Sequence, residues 1–235
     1  MKTLHVSAGG LGSRISSYCQ TSGVHVPKHL LPLPVPGKTI LGSIIRMSDG
    51  FFDKSIVWTG THNDSQIRNA LEDFTSVDSI IDSEMTGPMG PIIRSAIVGD
   101  NRVYGCAGDF YCEFRWKDFE AFHNSHSLPV SILIAKSVPT NEGARFLLDG
   151  HRISHWERVD RTSSDDRINI GCYIIDPHPE VISGMTSFIR HKEDVFFDAF
   201  IPRGLVAGYD PGIESYNINT PEVYNYLIQM LSTKP

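Results

Sequence analysis

Leu4-His5-Val6, running into Ala8-Gly9-Gly10-Leu11-Gly12-Ser13-Arg14, sets the reading of the whole chain. An apolar strand that ends in clustered glycines leaves backbone N–H groups free at the end of a sheet, where a phosphate chain can approach closely. No Gly-Lys-Ser/Thr follows, so this is not a Walker loop, and the spacing is not GxGxxG. Arg14 stands directly behind the glycines, and Lys28 follows in Pro27-Lys28. Two cations beside a phosphate-sized cradle suit phosphoryl or nucleotidyl transfer. The glycines alone would be equally consistent with a tight structural turn.

Outward from this turn, strand and helix patterns alternate. A loop punctuated by Pro27, Pro32, Pro34 and Pro36 ends at the turn signal Pro36-Gly37. Over 39–47, Ile40, Leu41, Ile44 and Ile45 fall on one helical face. Residues 55–58 read as a strand, and 63–74 as a helix capped by Asn63 or Asp64. The pattern continues with a strand at 79–81, a helix opened by Pro91 over 91–98, and a strand at 102–106 leading into Ala107-Gly108-Asp109. A helix at 116–123 and a strand at 130–135 follow. Such alternation predicts right-handed βαβ units and an open, mostly parallel sheet.

Beyond 135 the texture changes. Apolar runs at 144–148 and 152–156 flank Asp149-Gly150, a hairpin signal. A strand at 169–175, helices at 179–185 and 193–200, late strands at 205–209 and 215–218, and a closing helix at 221–231 complete the reading. Pro221 suits the first turn of that last helix. The expectation is one α/β domain over 1–235 whose second half adds antiparallel strands.

Composition sets the limits. A chain of 235 residues exposes roughly 10,600 Å² when folded, against about 38,000 Å² unfolded. That leaves room for a core that needs neither disulfides nor a structural metal. Apolar residues make up 40% and charged residues 20%, which excludes a disordered tail or a coiled coil. The 21 Lys and Arg against 27 Asp and Glu give a net charge of −6, without a long block of one sign. Neither nucleic acid nor a membrane surface is therefore an expected partner. Cys19, Cys106, Cys112 and Cys172 are scattered with no CxxC pair, as in a reduced cytoplasmic protein. Neither a signal-type core nor a run of 18 apolar residues occurs, so a cytoplasmic location is expected.

Several motifs, taken in order, resemble the sugar-1-phosphate nucleotidyltransferase family. Residues 8–14, with Pro27-Lys28-His29-Leu30-Leu31-Pro32-Leu33 and Pro36-Gly37-Lys38, resemble the family's GGxGTRL and PKxLLPVxGKP. Thr86-Gly87-Pro88-Met89-Gly90-Pro91-Ile92 resembles its LGTAGAL base-binding turn, and Gly108-Asp109 its GD motif at a strand end. Trp156-Glu157-Arg158 stands where the family has VEKP, and Ile168-Asn169-Ile170-Gly171-Cys172-Tyr173 resembles INAGIY. The last match, DIGTPEDY, falls on 216–224. The resemblance covers residues 4 to about 230, and in size and pattern is closest to the heptose 1-phosphate guanylyltransferases.

The resemblance implies a Rossmann-like three-layer αβα fold, with a nucleotide-binding half over 1–135 and a sugar-phosphate-binding half over 136–235. It implies a reaction in which a sugar 1-phosphate oxygen attacks the α-phosphorus of an NTP and pyrophosphate leaves. The nucleophile is already an anion, so the reaction needs alignment and charge neutralisation rather than a general base. By the same resemblance Arg14 holds the leaving pyrophosphate and Lys28 the α-phosphate. Ala8, Gly9, Gly10, Gly12, Ser13, Asp82, Glu84 and Gly87 bind the nucleotide. Gly108, Glu157, Arg158, Asn169 and Gly171 bind the sugar phosphate. Asp109 and Asn217 hold Mg²⁺, a hard cation that prefers oxygen ligands. Asn217 replaces a second aspartate, Arg158 a lysine, Ser13 a threonine and Asn219 a glycine. An amide contributes no charge, and a planar guanidinium is not equivalent to an ammonium.

Asp82 and Glu84 precede the Gly87 turn where relatives read the base edge. A carboxylate complements the adjacent N1–H and N2–H₂ donors of guanine, which tilts the reading to GTP. The rivals are the same chemistry with UTP, TTP or CTP, and a catalytically silent homologue that binds a nucleotide sugar. The pairs His123/His126 and His151/His155 read as surface histidines, Asp165-Asp166 as a solvated loop, and Phe196, Phe197 and Phe200 as core.

Overall fold

The computed structural model describes residues 1–15, 26–35, 39–84, 86–98, 102–138, 143–163, 165–185 and 193–233. Cys19 and the Pro36-Gly37-Lys38 segment lie outside the described residues. The strands are β1 (Thr3–Ala8), β2 (Lys54–Thr59), β3 (Val77–Ile81), β4 (Val103–Ala107), β5 (Phe110–Tyr111), β6 (Val130–Ser137), β7 (Gly143–Asp149), β8 (Arg152–Val159), β9 (Arg167–Ile175), β10 (Val206–Tyr209) and β11 (Glu214–Asn217). The helices are α1 (Ile40–Ser48), α2 (Asp64–Ala70), α3 (Gly90–Val98), α4 (Trp116–His123), α5 (Pro179–Met185), α6 (Glu193–Phe200) and α7 (Pro221–Thr233). A short 3-10 turn spans Lys28–Leu30.

The strands form one sheet in the order β3-β2-β1-β4-β9-β7-β8-β10-β6-β11-β5, with β9 also paired to β6. From β3 to β4 neighbouring strands run parallel, as the alternating pattern requires. The antiparallel part is not confined to an edge. β9 runs antiparallel between β4 and β6 in the middle of the sheet. The β7–β8 hairpin turns at Gly150, whose φ is +60°.

Alternation within the strands gives the sheet two apolar faces. Leu4, Val6, Val57, Cys106, Leu133 and Ile174 face one cluster together with α1, α4 and α7. Val103, Ile132, Ile153, Tyr173 and Ile175 face a second cluster built with α3 and the Phe196, Phe197 and Phe200 stripe of α6. This is a three-layer αβα sandwich. Its accessible surface of 10930 Å² agrees with the roughly 10,600 Å² that chain length dictates.

Two polar features differ from the sequence reading. His123 is buried, with Nδ1 2.7 Å from Ser131 Oγ and Nε2 3.1 Å from Asp176 Oδ2, because α4 lays it against β6. Asp166 accepts from Arg145 Nη1 at 3.0 Å and from Ser163 N at 2.7 Å, so it anchors its turn rather than only solvating it. Among the described residues, no helix is long and apolar enough to cross a membrane.

Candidate functional site

A cleft of about 370 Å³ opens where the carboxyl ends of β1, β2, β3 and β4 meet the bulge in β9. Gly9, Gly10, Arg14, Lys28, Asp82, Gly87, Asp109, Arg158, Asn169, Gly171 and Asn217 line it. Ligand sites at this end of such sheets follow from the topology.

The first wall is the glycine turn. A side chain at Gly9 would lie 3.3 Å from the Gly60 nitrogen, so the bare backbone is what lets these two turns pass. Gly12 adopts φ +63°, and a Cβ there would come 3.3 Å from Lys28 Cγ. Ala8 is buried and holds the turn from behind, its carbonyl accepting from Asn63 Nδ2 at 2.9 Å. Ala8, Gly12 and Ser13 thus shape the turn without lining the cleft. Ser13 and Arg14 are both exposed at the rim.

Lys28 donates to Asp109 Oδ2 and, at 3.2 Å, to Asn219 Oδ1. Burial alone would raise the Asp109 carboxyl pKa. The Lys28 charge and hydrogen bond outweigh burial and hold it below the ordinary carboxylate range. His29 is itself buried, and burial together with the Lys28 charge lowers its pKa to about 3, so it is neutral. Gly108 stands outside the lining. Its nitrogen donates to Ser7 O at 2.8 Å, and a Cβ there would come within 3.0 Å of that oxygen.

Asp109 and Asn217 are brought together by backbone pairing. Asn217 faces Phe110 in the β5–β11 ladder, and Ile218 N donates to the Asp109 carbonyl at 2.8 Å. Asn217 Oδ1 accepts from Asn219 Nδ2 at 2.9 Å. The donors here are one carboxylate and amide oxygens, a set suited to a hard cation that keeps water and phosphate ligands of its own. Among the described residues no group of three or more His, Cys, Asp or Glu could by itself hold a metal ion.

The opposite wall comes from a bulge. In the β6–β9 ladder Leu133 pairs with Cys172 and Ile134 with Asn169, so Ile170 and Gly171 are left over. Such a bulge redirects the strand. Gly171 takes φ +80°, and a Cβ would sit 2.7 Å from the Ala107 side chain. Asn169 Oδ1 accepts from Gly171 N at 2.9 Å, and its Nδ2 donates to Tyr173 Oη at 2.7 Å and Glu193 Oε1 at 3.2 Å. Tyr173 Oη in turn donates to Glu193 Oε1 at 2.6 Å. Burial, assisted by the Asp109 charge, pushes the Glu193 carboxyl up against the opposing effects of these hydrogen bonds and Arg158.

Two carboxylates of the sequence reading lie elsewhere. Glu157 faces Arg145 across the β7–β8 ladder and accepts from its Nε at 3.0 Å, which holds it away from the cleft lining. Glu84 accepts from Arg94 Nη2 at 2.7 Å and also stands outside. Asp82 remains, with Oδ2 accepting from Thr86 N at 2.8 Å and Thr86 Oγ1 at 2.7 Å. Arg158 lines the cleft while paired with Asp194. Sequence reasoning missed Glu193 and Trp58, which also line the cleft. Neither stands in a motif that sets it apart.

No protein-family model matches the chain. A mannose-1-phosphate guanyltransferase of Neurospora crassa is 27% identical over 139 residues, 55% of this chain and 37% of that protein. The chain therefore matches only about a third of that relative's length. A Bacillus anthracis structure described as a glucose-1-phosphate thymidylyltransferase in complex with sucrose superposes with a TM-score of 0.80. It is 14% identical and covers 100% of this chain and 97% of its own. HddC from Yersinia pseudotuberculosis, complexed with GMP-PN, gives a TM-score of 0.69 at 22% identity over 98% of this chain and 99% of its own. Likeness at this level speaks to architecture, and the chain has the fold of the sugar-1-phosphate nucleotidyltransferases that its motifs resemble.

Proposed function

We propose that this chain transfers a nucleotidyl group from an NTP, GTP foremost, to a sugar 1-phosphate. A phosphate oxygen of the sugar bonds to the α-phosphorus, the bond from that phosphorus to the bridging oxygen breaks, and pyrophosphate leaves. The observation that carries this reading is the cleft itself, where Gly9, Gly10, Arg14, Lys28, Asp109 and Asn217 meet from distant parts of the sequence. It is a site for a polyanion with little else to supply, as phosphoryl-type transfer requires.

In this reading residues 1–135 serve the nucleotide and 136–235 the sugar phosphate. The glycine turn cradles the phosphates, Arg14 binds the departing pyrophosphate, and Lys28 leaves Asp109 to reach the α-phosphate. Asp109 and Asn217 would hold Mg²⁺, which when bound neutralises phosphate charge. Asn169 and the Gly171 backbone line the sugar side, with Arg158 available to its phosphate. Glu157, held by Arg145, supports β8 instead.

GTP is favoured on Asp82, whose carboxylate complements adjacent N–H donors on a base edge. The name of the Neurospora relative and the GMP-PN in HddC point the same way. The test is pyrophosphate release with four NTPs crossed against a panel of sugar 1-phosphates. Release with GTP and one sugar phosphate is the expected result. A preference for UTP, TTP or CTP would overturn the base assignment, and no release in any combination would overturn the reaction.

A further inference from the structure

Three parallel strands each deliver a residue to the nucleotide end of the cleft. Ser7 stands opposite Trp58 in the β1–β2 ladder, and Trp58 opposite Ile80 in the β2–β3 ladder. Asp82 follows β3, its N–H bonded to the Thr59 carbonyl at 2.8 Å. Ser7 Oγ donates to Pro88 O at 2.6 Å, fixing the turn whose Gly87 and Pro88 line the same cleft as Trp58.

Trp58 is the unusual member of this group. Trp116 is 1% exposed inside one apolar cluster, and Trp156 packs against the other. Trp58 belongs to neither cluster and lines the cleft. Its single polar atom, Nε1, donates to His5 Nδ1 at 3.2 Å. Burial lowers the His5 pKa to about 4, so that acceptor persists at neutral pH. With its N–H engaged, the indole offers the cleft only aromatic carbon surface. Beside it, Asp82 Oδ2 is occupied by Thr86, while Oδ1 lies 4.0 Å from Arg94.

We propose, resting on the nucleotidyl-transfer reading above, that Trp58 is the platform for the nucleobase and favours purine nucleotides, with Asp82 at the base edge. An aromatic wall holds any base by stacking, and a two-ring base covers more of it than a one-ring base. The carboxylate then selects among purines by accepting N–H donors. A core tryptophan would need enclosure by apolar neighbours, and this position has a cleft on one side.

The experiment is titration of wild type, Trp58→Phe and Trp58→Ala with Mg·GTP, Mg·ATP and Mg·UTP, followed by calorimetry and tryptophan fluorescence. Trp58→Ala should weaken GTP about 5- to 150-fold, the range for loss of one stacked base. The purine-over-pyrimidine preference should shrink, and KM for the sugar phosphate should hold. Fluorescence quenched by GTP in the wild type should be lost in Trp58→Phe, which also decides the matter if the alanine variant does not fold. Wild-type affinity in Trp58→Ala, or quenching retained in Trp58→Phe, would overturn the platform while leaving the reaction reading intact. A wild type that binds none of the nucleotides would instead overturn the reaction reading, and the platform with it.

Discussion

The ammonium of Lys28 is hydrogen-bonded to the carboxylate of Asp109, so a cation of the cleft and its carboxylate metal-ligand candidate neutralise one another. Under the proposed reaction a substrate would separate them. The nucleotide phosphates would then replace Asp109 beside Lys28 and a divalent cation would replace Lys28 beside Asp109, which would couple nucleotide and metal binding to the opening of one ion pair.

Removing Lys28 should therefore affect both catalysis and stability. Turnover in Lys28→Ala is expected to fall about 10²- to 10³-fold, as for loss of one donor to developing charge. The wild-type carboxyl pKa is lowered, so the pair stabilises the fold above the ordinary carboxylate range and is lost as pH falls through the lowered value. Lys28→Ala should be destabilised by about 3 kcal/mol at pH 7, the lower end for removing one partner of a largely buried pair. That deficit should narrow on acidification, as the melting temperatures of both proteins across pH would reveal.

Glu193 titrates with the opposite sign. Its folded pKa is raised, so the ionised group opposes folding at high pH, and the cost disappears below the usual carboxylate range. Glu193→Gln should be more stable than wild type at pH 8, and the two should converge near pH 4.5, at about 1.4 kcal/mol per unit of displacement. Denaturant midpoints at the two pH values would measure this, and an unchanged difference would refute it.

Gly171→Ala places a methyl 2.7 Å from Ala107 and forces a non-glycine residue to φ +80°. Destabilisation of about 1–3 kcal/mol is expected. KM for the sugar phosphate should rise more than KM for the NTP, because the bulge forms only that wall. Equal changes in both would disagree with this placement.

Glu157→Gln and Asn217→Asp make a contrasting pair. The first should leave KM for the sugar phosphate close to wild type, since its carboxylate serves Arg145. The second adds charge beside Asp109 and should lower the Mg²⁺ concentration for half-maximal rate about tenfold, following the dependence of affinity on ligand charge. Sugar-phosphate saturation curves check the first variant and a magnesium titration the second.

Much of this molecule is legible in local sequence. The helix Trp116–His123 and the hairpin at Gly150 follow from periodicity and turn chemistry. The glycine turn announces itself by composition. β5 does not, because two residues carry no period, yet its pairing with β11 sets Asp109 beside Asn217. Glu157 and Glu193 show the other limit. Both are carboxylates in the second half, and only the β7–β8 register and the β9 bulge determine which of them reaches the cleft. The link from Lys28 to Asp109 spans 81 positions, a distance over which sequence pattern is silent.

The bond from Ile218 N to the Asp109 carbonyl has a temporal meaning as well. β4 and β5 precede β11 in the chain, so during synthesis the Asp109 carbonyl is made well before the strand that bonds it. In the proposed reading the pair of metal-ligand candidates is thus completed only once β11 has been added to the sheet.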